Sequence, residues 1–218
     1  MMGNKKRLNV LAVGAHFDDI ELGCGGTLVK HVKNKDNVAM LVVTHSGYMS
    51  YKGKLLRDKK TAFREGRKAA KILGIKKLIC LEYETKNVKY CTKLIEDVNA
   101  IIDELKIDTV YTHWIHDIHQ DHYAVAKATL NAARHIPRIL MYRSNWYSTP
   151  QPFKGNFYVD ISETINRKIK AIKAHKTEYK KFGQRWIDFI IHKNRSAGIE
   201  IETDYAEVFE VVRYLTDL

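Results

Sequence analysis

Proline and cysteine are scarce in this chain of 218 residues, with 3 of each. The prolines, Pro137, Pro150 and Pro152, all fall between Arg134 and Phe157, so that stretch is expected to be the least regular and no proline interrupts an element elsewhere. Cys24, Cys80 and Cys91 are odd in number and contain no C-x-x-C pair, which fits reduced thiols in a cytoplasm better than a disulfide framework. Cys24, between Gly23 and Gly25-Gly26, reads as a small buried side chain at a tight helix start. No run approaches the roughly 18 apolar residues of a membrane span. The basic N-terminus, Met1 to Arg7, precedes a short apolar run with no small-residue cleavage site, so a first strand is expected there and not a secretion signal. Acidic residues are outnumbered, 25 against 37 lysines and arginines, for a net charge of +12. The lysines sit in short separate clusters (Lys5-Lys6-Arg7, Lys59-Lys60, Lys76-Lys77, Lys180-Lys181). Without one basic stripe carrying aromatics, a solvated surface is the first reading, attraction of an anionic substrate the second and nucleic-acid binding the third.

What is present is an ordinary globular composition, 45% apolar, enough for one domain over residues 1–218 with a full core. Short apolar runs alternate with helical periodicity. Strands are expected over residues 8–13, 38–44, 78–81, 109–112, 139–142 and 157–161. Helices are expected over residues 21–32, 56–73, 92–105, 121–134 and 162–179, with Gly74 as the stop of the second. Residues 45–51 read as a loop, and residues 206–214 fit a strand or a helix. Helices of this length between short strands imply parallel crossovers, hence an α/β, Rossmann-like, doubly wound and mainly parallel sheet with helices on both faces.

Two stretches carry chemistry. Gly14-Ala15-His16-Phe17-Asp18-Asp19-Ile20-Glu21 stands where the first strand ends, the edge at which open α/β sheets place their sites. The run from His113 to His122 holds four histidines and two aspartates, again between a strand and a helix. His119 and His122, three apart, share one side of a first helical turn. His16 and Asp19 with His122 make a His₂Asp set, three protein ligands with an open position, the pattern of catalytic zinc. Asp18 is then left for proton transfer with water, His119 for the oxyanion and leaving group, and Asp121 to fix a histidine tautomer. Each motif alone serves equally well as a capped turn, with Asp18, Asp19 or Asp121 as helix caps; the pair favours a site. His113 and His116 are expected to line the loop or pocket.

The motifs resemble a family. Ala15-His16-Phe17-Asp18-Asp19-Ile20-Glu21 with Gly23, Gly25, Gly26 and Thr27 is similar to the AHPDDxExxxGG signature of the PIG-L/LmbE-like N-deacetylases, and His119-Gln120-Asp121-His122 to their HxDH motif. Thr44 with Ser46-Gly47, Glu65 with Ala69 and Leu73-Gly74, Val159-Asp160-Ile161-Ser162 with Lys170, Ala174 and His175, and Tyr205-Ala206-Glu207-Val208-Phe209 extend the likeness over almost the whole chain. The resemblance implies zinc-dependent hydrolysis of an N-acetyl group, usually on an N-acetylglucosamine-type sugar, releasing acetate. It implies one zinc per chain, with another divalent metal as the alternative, on His16, Asp19 and His122. Asp18 is the implied general base, His119 the residue assisting the tetrahedral intermediate and Asp121 its carboxylate neighbour. The chain departs from the pattern at Phe17, where the family has proline, at Ala62, where it often has arginine, and at Glu178, where it commonly has glutamine.

The implied partner is a small acetylated sugar conjugate, with a weak hint of negative charge. Ser46, Arg57, Arg64, Arg143 and Trp146 are the candidates for binding it. Tyr142, Arg143, Trp146 and Tyr147 read equally as a sugar platform and as a contact between copies of the chain. Rival readings are a metal-dependent hydrolase of another amide or ester on the same site, a nucleotide-binding domain using Gly23 to Gly26, and a binder of nucleic acid or anionic surfaces. The glycines follow the acidic residues and lack G-x-G-x-x-G spacing, which weakens the second.

Overall fold

The structure, a computed structural model, describes residues 7–216; the basic terminus read above lies, but for Arg7, outside them. The chain runs β1 (Asn9–Gly14), α1 (Asp19–Lys33), β2 (Asn37–Thr44), β3 (Tyr48–Met49), β4 (Leu55–Arg57), α2 (Lys59–Leu73), β5 (Lys77–Tyr83), α3 (Thr92–Glu104), β6 (Thr109–His113) and α4 (Gln120–Ala132). It continues through β7 (Arg138–Tyr142), β8 (Phe157–Asp160), α5 (Ile165–Ile172), α6 (Lys176–Phe182), α7 (Gln184–Ile199) and β9 (Ala206–Tyr214).

Seven strands form one sheet in the order β5-β2-β1-β6-β7-β9-β8. The first five are mutually parallel, and β9 runs antiparallel to both β7 and β8. β1 sits in the middle with Val10 to Gly14 all buried, as a parallel strand covered on both faces requires. Val10, Ala12, Met40 and Val42 face Ile20, Cys24 and Leu28 of α1, Ala69 and Leu73 of α2 and Ala171 of α5. Leu11, Val13, Leu41 and Val43 face Leu94 and Val98 of α3 and Val125 and Ala128 of α4. The expected class, a mainly parallel sheet with helices on both faces, is the observed one.

The strand order reverses beside β1, with β2 and β5 on one side and β6 and β7 on the other. That reversal opens a crevice beyond the C-terminal ends of β1 and β6, where such sheets bind ligands. The two motif-bearing stretches follow these two strands.

Three expectations need correcting. The helix expected from residue 56 begins at Lys59, because Leu55–Arg57 pairs with Tyr48–Met49 as a small hairpin. Asp58 then caps the helix, its carboxylate accepting from Thr61 N at 2.9 Å. The loop expected over residues 45–51 contains one strand of that hairpin, β3. The long helix expected over residues 162–179 is broken, because His175 leaves helical geometry (φ −77°, ψ 69°) and is fully buried between Glu21 and Arg57. Residues 206–214, left between two readings, are a strand.

Close packing against α1 and α2 explains two glycines. A Cβ on Gly23 would stand 2.0 Å from Cδ2 of Tyr142, and one on Gly66 2.2 Å from Cδ1 of Phe17. The Phe17 ring, in place of a proline, is buried on Gly66 and edge-on to Phe63 at 5.9 Å. Tyr142 cannot step aside, since its hydroxyl donates to Val13 O at 2.7 Å. Gly23→Ala is therefore expected to cost about 1–3 kcal/mol by overpacking, measured as a lower urea midpoint at an unchanged m-value.

Candidate metal centre and active-site cleft

Five parallel strands deliver their C-terminal ends to one place. After β1, the chain turns through Asp18, which has φ 136°, a region that costs a non-glycine residue about 1–3 kcal/mol. Asp19 opens α1, and its Oδ2 accepts from His16 N at 2.8 Å. After β6, His119 stands at the N-cap of α4, with Asp121 and His122 in the first turn. After β7, Ser144 donates to Asp19 Oδ1 at 3.2 Å and Asn145 Nδ2 donates to both oxygens of Asp117 at 2.7 Å. Beyond β5, Lys86 N and Val88 N donate to the carboxylate of Asp121 at 2.7 and 3.1 Å. After β2, Ser46 Oγ accepts from Phe17 N at 2.8 Å.

His16, Asp19 and His122 converge. His16 Nδ1 is 3.3 Å from Asp19 Oδ2, His122 Nε2 is 3.2 Å from Asp19 Oδ1, and the two facing nitrogens are 3.3 Å apart. Each ring is held from behind by a carboxylate: His16 Nε2 lies 2.9 Å from Asp121 Oδ2 and His122 Nδ1 lies 3.1 Å from Asp117 Oδ2. Metal-ligating histidines are characteristically braced this way. Tetrahedral nitrogen and oxygen ligands at zinc distances are separated by about 3.3 Å, so the observed spacings suit a metal of that size. The electrostatics agree. Burial opposes charge on both rings, yet Asp121 and Asp19 push His16 up to about 9, and Asp19 and Asp117 push His122 up to about 10. Two protonated nitrogens 3.3 Å apart repel, whereas one cation between them satisfies the same field.

His119 differs. Its Nδ1 accepts from Asp121 N at 3.2 Å, so the neutral ring keeps its proton on Nε2. Burial, with His122 and His16 beside it, lowers His119 to about 4; it is a neutral hydrogen-bond donor. Asp18 lines the cleft; its carbonyl accepts from Leu22 N at 3.0 Å, while its carboxylate neither caps α1 nor makes any other hydrogen bond among the described residues. Burial first, then Asp19 and Glu178, pushes its carboxyl up to about 7.

Above the centre lies a cavity of about 290 Å³. Of the sequence-nominated binding residues, Ser46, Arg57 and Trp146 line it. Arg64 does not: it is exposed on α2 and reaches only Thr61. Arg143 also stays outside, its guanidinium turned onto the carbonyl of Tyr147. Asp121 braces His16 with its carboxylate; only its backbone N–H reaches His119. His113 is fully buried beneath the centre, 3.2 Å from Asp19 and stacked on His122 at 4.0 Å. Sequence reasoning missed the bracing role of Asp117, which lay within the nominated run, and the contributions of Ser144 and Asn145, which follow a strand end with no histidine to mark them.

The loop after β7 is anchored from α7, where Lys193 Nζ donates to Arg143 O at 2.5 Å. Burial, helped by Lys168 and Arg143, lowers this lysine to about 7. The unfolded chain keeps the proton up to about 10.4, so it binds more protons than the folded protein between those values and stability rises with pH there. The wild-type thermal midpoint is thus expected to gain more between about pH 7 and about pH 9 than that of Lys193→Met; equal gains would remove this account.

Comparison with known proteins agrees with this geometry. The family described as PIG-L, GlcNAc-PI de-N-acetylase, matches residues 11–133, from β1 to just past α4 and so across both motifs. An uncharacterized deacetylase of Escherichia coli K12, YaiS, is 37% identical over 181 residues, covering 79% of this chain and 92% of that protein. A conserved protein of Thermus thermophilus superposes with a TM-score of 0.82 at 25% identity over 97% of both chains. The N,N'-diacetylchitobiose deacetylase of Pyrococcus horikoshii shares the fold, with a TM-score of 0.80 at 21% identity over 93% of this chain and 83% of that one. With more than half its length matched and both motif-bearing strand ends inside the match, the chain belongs to the PIG-L (GlcNAc-PI de-N-acetylase) family.

Proposed function

We propose that this protein is a cytoplasmic, zinc-dependent hydrolase that removes the acetyl group from an N-acetylated sugar. The observation that carries the reading is the His16, Asp19 and His122 donor set, braced by Asp121 and Asp117, with the Asp18 carboxylate beside it, free of hydrogen bonds among the described residues, in a sugar-sized cleft. His16, Asp19 and His122 would hold the metal, which supplies a Lewis acid and a water of lowered pKa. Asp18 takes the proton from the attacking water as its oxygen bonds to the acetamide carbon. It returns that proton to the nitrogen as the C–N bond breaks, leaving acetate and a free amine. His119 donates its Nε2 hydrogen to the oxygen on which negative charge develops. Asp121 and Asp117 keep the two ligand rings in the metal-binding tautomer. Trp146, set edge-on against Phe182 at 5.3 Å and Phe189 at 5.5 Å, offers a fixed face to a sugar ring.

The test is metal analysis coupled to acetate release from N-acetylglucosamine and its conjugates. Purified protein is expected to carry about one zinc per chain, to lose activity on chelation and to regain it with zinc. Full activity after chelation, or no acetate from any N-acetylated sugar by metal-loaded protein, would overturn the proposal.

A further inference from the structure

Two lysines at the mouth of the cleft are used neither by the metal donors nor by the proton-transfer group. Lys86, beyond the end of β5, and Lys181, on α6, each hold their ammonium group 5.1 Å from the Tyr48 ring centroid. Both lysines and Tyr48 line the cavity that contains His16, Asp18 and Asp19.

The backbone of Lys86 is fixed. It has a positive φ of 66°, its N–H donates to Asp121 Oδ2 at 2.7 Å, and its carbonyl accepts from Gln120. The carboxylate that braces His16 therefore also sets where this side chain starts. The Lys86 ammonium reaches only Met49 O, at 3.5 Å, and forms no ion pair among the described residues. Lys181 donates to Tyr48 Oη at 3.1 Å and lies 3.7 Å from Glu178 Oε2. The Tyr48 hydroxyl, at 2.8 Å, and Arg57, at 3.8 Å, both address the other oxygen of Glu178, Oε1, so Oε2 is the acid partner of Lys181. Arg57 is engaged in turn with Glu65 and the Phe17 carbonyl, so it is not free for a ligand. Two ammonium groups thus flank one ring at the cleft mouth, Lys181 with Glu178 as its acid partner and Lys86 with none among the described residues. An anion at this mouth would give Lys86 the ion-pair partner it lacks and would meet the Lys181 ammonium on the same lining. The Tyr48 ring holds the Lys86 ammonium in place without neutralising it.

We propose that Lys86, Lys181 and Tyr48 form a subsite for an anionic substituent, a phosphate or carboxylate, on the acetylated sugar, and that this subsite selects the substrate class. The inference rests on the deacetylase reading. The floor takes the acetamide and the rim takes the anion. The cavity, about 290 Å³, lies at the lower end of the range of about 300–1,000 Å³ for ligand pockets, so the anion sits on or one short link from the sugar ring.

The experiment compares acetate release from N-acetylglucosamine 1-phosphate, from a carboxymethyl glycoside of N-acetylglucosamine and from its neutral methyl glycoside. Wild-type protein, Lys86→Gln, Lys181→Gln, the double variant and Lys86→Arg are assayed. At least one anionic substrate is expected to exceed the neutral one in kcat/KM by about tenfold or more, roughly one charge-assisted contact. The two anionic arms say which of phosphate and carboxylate is taken. In the double variant the anionic-to-neutral ratio is expected to fall to about one, through KM and not kcat, and Lys86→Arg is expected to keep the preference. Equal wild-type rates for neutral and anionic substrates, or a preference that survives in the double variant, would overturn the subsite. Failure of the deacetylase reading looks different: no substrate releases acetate. Calorimetric titration of N-acetylglucosamine 1-phosphate into wild-type and double-variant protein then decides the subsite, supported by weaker binding to the variant and overturned by equal binding.

Discussion

Asp18→Asn is expected to retain about one metal per chain while slowing acetate release by about 10²–10⁴-fold, the usual worth of a positioned general base. Asparagine has the shape of aspartate but cannot take a proton from water. Its neighbour Asp19 is occupied by His16, His113, His122 and Ser144, whereas the Asp18 carboxylate makes no hydrogen bond among the described residues and lines the cleft. The strained backbone at φ 136° turns Asp18 away from capping α1, so the carboxylate is not spent on the helix. Its carboxyl, pushed up to about 7, lies in the range that suits a base working near neutrality. Metal analysis with steady-state kinetics separates the outcomes. A near-native rate would remove Asp18 as the base, and loss of metal would make it a ligand.

How much of this was legible in the sequence follows from which interactions are local. β1 and β6 read as strands because buried parallel strands are short unbroken apolar runs. The His16 to Asp19 and His119 to His122 stretches were legible because each packs its polar groups into a few residues directly after such a run. Nothing in either stretch says that the two strands are neighbours; the alternation of elements placed both motifs on one edge of the sheet, and the parallel pairing of β1 with β6 brings them side by side. Long-range contacts left no pattern to read. His175 interrupts an expected helix without glycine or proline, since its break is made by Glu21 and Arg57, 154 and 118 residues away. Ser144 and Asn145 reach the centre from a proline-bearing stretch whose lack of periodicity gave no face to assign. Among the arginines, Arg57, Arg64 and Arg143 looked alike in sequence, and only burial separates them.

Arg57→Met is expected to lower stability by about 3–5 kcal/mol, because removing one partner leaves buried charges unpaired. At about 2–4 °C per kcal/mol for a chain of this size, the thermal midpoint should fall by about 6–20 °C. The residue is only 3% exposed although it reaches the cleft wall. It donates to Phe17 O at 3.1 Å, to Glu65 Oε2 at 3.0 Å and to His175 Nδ1 at 3.3 Å. A bond accepted at Nδ1 requires the neutral ring to carry its proton on Nε2, where it meets Glu21 at 3.1 Å. Arg57 thus ties the turn at Phe17, which carries the candidate metal donors, to α2, α6 and α1 at once. Glu65 also accepts from the Thr177 backbone and hydroxyl at 2.9 and 2.6 Å, so it cannot swing out to water without freeing α6. Arg57→Lys is expected to recover only part of the loss, since one ammonium cannot span the fork of contacts that a guanidinium makes. If Arg57 served only to anchor substrate, the methionine variant would melt like the wild type and show a raised KM alone. A lowered midpoint in the substrate-free protein instead assigns it to holding the turn on which His16, Asp18 and Asp19 stand.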